Sequence, residues 1–205
     1  MAFGFSTPAN DAVGNNDRRV SQYLKTWITG ADSDSGMGLA VCGVTGPGTS
    51  KEVTANWQSP FEGESLGNKF QQAGGLMQAA TDITLITQLN TRQAWVGNQP
   101  TKFNLELHFY ALENVQKEVM LPLFYLEKMI APQAAEVAGP GRLPDFVQLN
   151  IGRKMIYPNC VIENMSQPYD KEVWKGGGWI RCTVSLQIST IAMLNKTDIP
   201  NYGGG

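Results

Sequence analysis

Strict alternation of apolar and polar positions is the clearest pattern in the chain, and it is longest in two stretches. In KFNLELHFYAL, residues 102–112, one face of an extended strand carries only apolar side chains: Phe103, Leu105, Leu107, Phe109 and Ala111. In WIRCTVSLQISTIAML, residues 179–194, the corresponding apolar set is Ile180, Cys182, Val184, Leu186 and Ile188. A period of two with one apolar face predicts antiparallel strands that cover a core on one side.

The residues before the first of these strands predict its partner. Residues 81–96, TDITLITQLNTRQAWV, are rich in Thr, Ile, Leu and Trp and predict a long strand. The following GNQP, residues 97–100, has Gly and Pro where a turn needs them. We therefore expect residues 81–96 and 102–112 to form a hairpin. Residues 146–167 also predict strands, interrupted at Gly152 and Pro158.

The period changes in NVQKEVMLPLFYLEKMIAP, residues 114–132. Apolar side chains recur there at spacings of three and four, which predicts a helix: Val115, Val119, Leu123, Leu126 and Ile130. Asn114 is placed to cap this helix, Pro122 must kink it or restart it, and Pro132 ends it. A second, short helix is predicted near residues 66–72, ended by Gly74-Gly75.

The first 60 residues show little periodicity. Loop-like stretches rich in Gly, Ser, Asn and Asp separate residues 21–28, which could be strand or helix, from residues 38–44, which favour a strand. We interpret residues 1–64 as an extended N-terminal arm with loops that becomes ordered against a neighbour, and a partly disordered terminus is the alternative. Residues 65–205 would form the β domain, so that the chain is a single globular domain overall.

Composition narrows the class of protein. The chain has 205 residues, 42% hydrophobic and 17% charged, with a net charge of −2 and no concentrated basic stretch, which argues against a protein that grips nucleic acid. Three scattered cysteines favour a reducing compartment over a disulfide scaffold. Neither a secretory signal nor a run of roughly 20 apolar residues is visible. We expect a soluble protein made in cytoplasm, without membrane insertion.

Candidate chemistry is sparse. His108 is the only histidine and falls on the polar face of its strand, so we expect a surface residue and not a base. Residues 43–51, GVTGPGTSK, lack the Lys-Ser/Thr pair of a phosphate loop, and residues 32–35 begin a calcium loop that its later positions do not complete. No zinc spacing is present. We expect no enzyme activity, no metal and no cofactor.

Five tryptophans raise the alternative of a carbohydrate-binding β-sandwich. Trp95 and Trp179 lie in apolar strand patterns, which favours the core. Trp57 and Trp174 lie in loop-like stretches and are candidate anchors of a protein interface, where Trp is enriched.

The order of elements resembles the tube-fold proteins of contractile bacteriophage tails. AWVGNQP leads into the alternating FNLELHFYA, followed by the helix, a Gly/Pro loop, the glycine-containing strand LNIGRK, YPNCVIENMSQ, and the closing strand WIRCTVSLQISTIA. The resemblance covers about residues 80–195 and is greatest to the baseplate proteins between hub and tail tube that initiate the tube. It implies a mainly β fold with one or two helices (α+β): a tail-tube-like β-sandwich or barrel of antiparallel strands with a flanking helix.

The resemblance also implies a function without catalysis. Subunits of this family form rings, with a hexamer expected here, by joining sheet edges around a lumen through which DNA passes without specific binding. The expected partners are the tail tube, the baseplate hub, and sheath or wedge proteins. The expected location is the virion, after assembly in the host cytoplasm. The residues expected at the oligomer interface or sheet edge are Trp95, Asn104, Glu106, His108, Thr183, Ser185 and Gln187. The principal tail tube subunit is the alternative within the family.

Overall fold

The computed structural model describes residues 12–31, 38–58, 93–132, 143–169 and 172–196. The chain divides into two units: residues 1–52 with 100–205, and residues 53–99. Twelve strands occur in the described residues: β1 (Val13–Gly14), β2 (Lys25–Ala31), β3 (Gly38–Thr45), β4 (Ser50–Glu52), β5 (Ala55–Gln58), β6 (Ala94–Asn98), β7 (Lys102–Tyr110), β8 (Val147–Ile151), β9 (Met155–Ser166), β10 (Val173–Trp174), β11 (Gly178–Trp179) and β12 (Arg181–Thr190). Helix α1 spans Leu121–Ile130, after a π-helical segment at Gln116–Met120.

The first unit is a closed β-barrel. Its strands follow the order β3-β2-β8-β9-β12-β7, and β7 pairs again with β3 through Val44↔His108 and Thr45↔Leu107. All of these pairs are antiparallel. The short strand β4 adds to β7, while β1 adds to β3 in parallel. The predicted class, mainly β with a helix in an α+β arrangement, is confirmed, and the antiparallel strands form a barrel.

Side chains fill the barrel. The burial of β7 alternates along its whole length as its sequence predicts, and the facing positions of β12 are buried from Cys182 to Ile188. Because each Leu or Phe removed from water stabilises the fold by about 1.5–3 kcal/mol, this packed interior holds the strands together. Its buried apolar members include Ile28, Val41, Phe103, Leu105, Leu107, Phe109, Leu126, Leu149, Val184 and Ile188.

Two positions of the predicted closing strand differ from expectation. Ile180, predicted to point inward, precedes the first residue of β12 and is 39% exposed. Ser189, predicted to point outward, is buried and donates a hydrogen bond from Oγ to Glu163 Oε1 at 2.6 Å.

The helical residues 116–130, made of the π-helical segment and α1, lie within the predicted residues 114–132, but regular α-helix begins only at Leu121. The Asn114 carboxamide oxygen accepts hydrogen bonds from the amides of Gln116 and Lys117, which confirms the predicted cap. Pro122 directly follows the π-helical segment inside this continuous stretch, so its missing N–H interrupts the helical hydrogen bonds where the helix changes from π to α. The buried face of the helical segment joins the barrel core through Val119, Leu123, Leu126 and Met129.

The expectation of an N-terminal arm is wrong for most of the described residues before 53. β2 and β3 are neighbouring barrel strands, and β2 lies between β3 and β8. β1 also pairs with β3, so the chain before β2 belongs to the same sheet. This pairing needs glycine at position 14, because Gly14 has a φ of 103°, which residues with a side chain rarely adopt, and lies against the Cys42 carbonyl.

The expected hairpin is also corrected. Residues 94–98 form β6, whose partner is β5 and not β7, while residues 81–92 lie outside the described residues, as do residues 66–72. In the second unit, β5 and β6 make a two-stranded antiparallel ribbon, and the Gln99 amide donates to the Thr54 carbonyl at 3.0 Å.

Candidate assembly surfaces

The six polar residues predicted on β7 and β12 come together on one face. The strands pair so that each predicted residue of β7 lies directly opposite one of β12. The pairs are Asn104↔Gln187, Glu106↔Ser185 and His108↔Thr183. Because the alternate residues of both strands fill the core, this polar face is the outer face of the barrel.

A line of hydrogen-bonding groups crosses this polar face. Glu106 Oε1 lies 3.3 Å from His108 Nε2, and His108 Nδ1 lies 2.9 Å from Thr183 Oγ1. With the proton on Nε2, the ring donates to the carboxylate and accepts from the threonine hydroxyl, so every group has a complementary partner. The sequence did not reveal this arrangement, because Thr183 is 75 residues from His108.

The turn between β3 and β4 is attached to the same carboxylate. The Gly48 amide donates to Glu106 Oε2 at 2.9 Å, and the Gly46 amide donates to the Glu106 carbonyl at 2.6 Å. A Cβ at Gly46 would lie 2.6 Å from His108 Nε2, so only glycine lets the turn approach this closely. The stretch that superficially resembles a phosphate loop therefore directs the Gly48 amide to an acidic side chain.

Neither edge of β7 is free, which corrects the expectation that Asn104, Glu106 and His108 lie at a sheet edge. One edge pairs with β12 from Lys102 to Tyr110. The other edge pairs with β4 near Asn104 and with β3 at His108, while the Glu106 amide and carbonyl bind Thr49 Oγ1 and the Gly46 amide.

Asn15 completes that second edge. Its side-chain amide donates to the Tyr110 carbonyl at 2.6 Å, and its Oδ1 accepts from the Tyr110 amide at 3.0 Å. The Asn15 carboxamide therefore makes the two hydrogen bonds to Tyr110 that a backbone residue of β3 would make if β3 continued to pair with β7. Asn15 is 2% exposed, and nothing in the sequence near VGNN indicates this role.

β12 is also paired on both sides over much of its length. It pairs with β7 from Arg181 to Ser189 and with β9 from Ser185 to Thr190. Of the predicted set on this strand, only Thr183 precedes the part that pairs with β9. The six residues are therefore an outer polar face, and their contact with another subunit stays a prediction.

Two tryptophans lie side by side on the ribbon of the second unit. Trp57 of β5 is the cross-strand partner of Trp95 of β6, and they are 56% and 51% exposed. Trp95 Nε1 donates to Asn98 Oδ1 at 2.9 Å, which orients its ring. The exposure corrects the expectation that Trp95 belongs to a core. Cross-strand partners share a face, so both indoles lie on the same side of the ribbon, next to the register shift between Asn56 and Trp57.

Trp174, predicted in a loop-like stretch, and Trp179, predicted in a strand pattern, lie in the first unit. Trp174, 56% exposed, is in the short β10–β11 hairpin, and its ring covers Gly176 closely enough that a Cβ there would be 1.8 Å from Cζ3. Trp179 is half-buried against the core and stacks on Tyr169 with centroids 5.3 Å apart.

The three cysteines are buried, and none of them is in a disulfide. Burial raises the pKa of the Cys42 thiol to about 12, and it raises that of Cys160 to about 12 as well. Both are therefore neutral thiols that fill apolar space. Within the described part of the chain, no three His, Cys, Asp or Glu side chains lie close enough together to hold a metal ion.

No helix in the residues that the structure describes has the length and apolar character to cross a membrane. Comparison of the chain with protein-family models gives no match, and comparison with curated proteins also gives none.

Proposed function

We propose that this chain is a non-enzymatic structural protein that forms rings, and that it serves as a baseplate or tube-initiating component of a contractile phage tail. In this role it joins hub to tail tube, contributes to a channel through which DNA passes, and resides in the virion. The resemblance in element order supplies the phage assignment. The contacts of the described residues support the more general part of the proposal, assembly with further copies.

The ribbon of the second unit is the observation that carries the proposal. Among the described residues no third strand pairs with β5 or β6, and a two-stranded ribbon alone is marginally stable in water. Here the ribbon also exposes Trp57 and Trp95 together with Val96, which is 61% exposed. Exposed Trp side chains on a ribbon whose edges no described strand covers are typical of surfaces that other chains cover, by strand addition and by burial of Trp.

The polar face of the barrel supports a structural role for His108. The imidazole lies between Glu106 and Thr183, and the carboxylate also holds the Gly48 amide. All of these groups contribute to attaching the β3–β4 turn to β7. The arrangement thus accounts for the only histidine as a component of the barrel wall.

Negative-stain electron microscopy and sedimentation velocity of the purified chain test the proposal. We expect rings, and we expect W57A/W95A to weaken ring formation by about 30-fold or more, since truncating a buried interface Trp costs at least about 2 kcal/mol. Phe124→Ala is the matched control, because Phe124 is an exposed aromatic (51%) on α1 of the first unit. Separate particles at all concentrations for the wild-type chain would refute the proposal.

The same images separate the two roles within a tail. Arrest at a single ring favours the initiator, whereas spontaneous growth into long tubes favours the principal tube subunit.

A carbohydrate-binding module is the second candidate, and the Trp57–Trp95 pair favours it specifically. Two indole rings on one face of a ribbon form a flat apolar surface of the kind on which a sugar ring packs. Glycan-array binding by a monomeric wild-type chain, lost in W57A/W95A and retained in Trp174→Ala, would establish this alternative over assembly.

A further inference from the structure

A cavity of about 510 Å³ lies in the first unit between the end of helix α1 and the end of strand β9. We call it the α1–β9 cavity, and it is lined by Glu127, Ile130, Ala131, Pro132, Glu163, Asn164, Met165, Gln167 and Tyr169. Its size is in the range of sites that hold a small ligand or a large side chain.

The cavity lining is rich in hydrogen-bond acceptors and negative charge. Glu127 and Glu163 contribute two carboxylates from opposite walls, one on α1 and one on β9. The carboxyl end of α1 adds its last carbonyl groups, which carry the partial negative charge of the helix dipole. Among the lining residues that the structure describes, no Lys, Arg or His balances these groups.

Gln167 gives a second, independent indication of a ligand. Its Oε1 atom is buried and has no hydrogen-bond partner in the structure. A buried amide oxygen left without a donor costs roughly 1–3 kcal/mol, so a donor group that enters the cavity and binds this atom removes that cost. The cavity therefore suits a cationic group with several N–H donors, such as a guanidinium.

A guanidinium lies at the opposite end of β9, in the turn that precedes the strand. The turn before β9, Gly152–Lys154, places both Gly152 and Arg153 in the left-handed region, with φ values of 60° and 55°. The Gly152 amide donates to the Lys25 carbonyl at 2.8 Å, which anchors the turn to the barrel. The exposed Arg153 and Lys154 have no acidic partner among the ion pairs of the described residues.

Aromatic rings hold the two cations of the turn in place. The Arg153 guanidinium lies 5.4 Å from the Trp27 ring centroid, and Lys154 Nζ lies 5.2 Å from that of Tyr23. The attraction between the guanidinium and the Trp27 ring uses no N–H donor of Arg153, so these donors stay available to an acceptor. Arg153 is therefore presented as a pre-oriented donor fork.

We propose that the Gly152–Lys154 turn of one copy of this chain docks in the α1–β9 cavity of a second copy, with Arg153 as the anchoring side chain. The turn precedes β9 and the cavity adjoins its last residues, so the two lie roughly 35 Å apart along a 12-residue strand. Because the complementary surfaces are different, the contact is head to tail, and its repetition gives a closed ring or an open stack. The inference rests on the proposed function, which requires copies to assemble.

In this contact the Arg153 guanidinium donates to Glu127, Glu163 and Gln167 Oε1. Arginine is suited to the role because its five N–H donors can serve two carboxylates and an amide oxygen at once. Glu163 retains its bond from Ser189, because a carboxylate accepts several hydrogen bonds.

Exchange of charges between two variants tests the contact on the full chain. Arg153→Glu gives a negative turn with a native cavity, and Glu127→Lys/Glu163→Lys gives a positive cavity with a native turn. By sedimentation velocity we expect each variant alone to associate about 30-fold or more weakly than wild type, since a fully desolvated charge loses its partner. An equimolar mixture of the two should recover assembly, because every turn then meets a cavity of opposite charge.

The controls make the same charge changes elsewhere. Arg18→Glu and Glu113→Lys/Glu172→Lys alter exposed side chains outside the cavity and the turn, and they should assemble as wild type does. Circular dichroism confirms that each variant is folded. Wild-type assembly by folded Arg153→Glu, or no recovery in the mixture, overturns the inference while leaving ring formation through Trp57 and Trp95 intact.

If the wild-type chain stays monomeric, the proposed function fails. A direct binding measurement then tests the docking of the turn in the cavity separately. A synthetic peptide of residues 149–157 is titrated into isotopically labelled protein, and the side-chain amide resonances of Gln167 are followed. We expect saturable shifts that are lost with a peptide carrying Glu for Arg153. Equal responses to the two peptides, or no response to either, overturn the inference.

Discussion

Removing the Asn15 carboxamide should open the barrel beside the end of β7. In Asn15→Ala the Tyr110 amide and carbonyl both lose their partner, at distances that are now 3.0 and 2.6 Å. Each unsatisfied buried group costs about 1–3 kcal/mol. Because Tyr110 is half-buried, so that water reaches part of the gap, we expect a total loss of about 2–4 kcal/mol. For a chain of this size that corresponds to a Tm lower by roughly 5–15 °C.

Urea denaturation followed by circular dichroism gives the free energy of unfolding, and two further variants sharpen the result. Asn104→Ala also removes a carboxamide, but from a side chain of β7 for which the structure gives no hydrogen bond. This variant should therefore change the free energy of unfolding by less than about 0.5 kcal/mol. Asn15→Asp keeps the acceptor but places a second oxygen against the Tyr110 carbonyl, so it should be no more stable than Asn15→Ala. Equal stability of Asn15→Ala and Asn104→Ala would refute the assignment of Asn15 as the closing residue.

Three other changes test separate parts of the barrel. Leu107→Asp should prevent folding, because it sets an unpaired charge at a fully buried site; a native circular dichroism spectrum would contradict the core. Deleting residues 1–30 should also unfold the barrel, since most of β2 is lost between β3 and β8; retention of a β spectrum would instead favour an arm. Burial raises the pKa of Glu118, but backbone amides of Glu113, Asn114 and Leu112 outweigh it and lower the pKa below its usual 4.5. A carboxyl group whose pKa is lower in the folded state stabilises the fold at pH values above the pKa of the unfolded state. This stabilisation is lost as the pH falls through the pKa of the folded state. Glu118→Gln should therefore be less stable than wild type at pH 7 and approach it in acid, and a gap of equal size at pH 7 and pH 3 would exclude this role.

The strands and helix that could be predicted are those with one face in water. β7 alternates without a break, and α1 repeats at three and four residues, so each pattern records which side of the element is buried. Asn114 could be identified as a cap from the sequence, because capping depends only on residues two and three positions away.

β2 and β3 could not be recognised as barrel strands because they are buried on both faces. Ile28 and Val41 face the main core, while Trp27 and Cys42 belong to a second buried cluster with Ala12 and Ala40. A strand covered on both sides loses its alternation, so residues 21–28 could equally be helix, and residues 38–44 favoured a strand without indicating its place in the barrel. The pairing partners could not be predicted either. The hairpin was inferred from adjacency, but β6 pairs with β5, and the hydrogen bonds of Gly48 with Glu106 and of Asn15 with Tyr110 join residues 58 and 95 positions apart.

The polar face was predictable as a set, but its contacts were not. Alternation correctly placed Glu106, His108 and Thr183 on one side of the sheet. That Glu106 would hold the Gly46–Gly48 turn depends on β3 meeting β7, a tertiary contact that no local pattern encodes.

The second unit leaves the barrel and rejoins it at paired residues. Glu52, the last residue of β4, lies opposite Lys102, the first of β7, and at the base of the ribbon the chain is joined again between Thr54 and Gln99. Because the two ends of residues 53–99 meet, a tight reverse turn could replace the whole excursion without stretching β4 or β7. The barrel could thus keep its strand pairing and its hydrophobic interior whatever the length or composition of the segment inserted between β4 and β7.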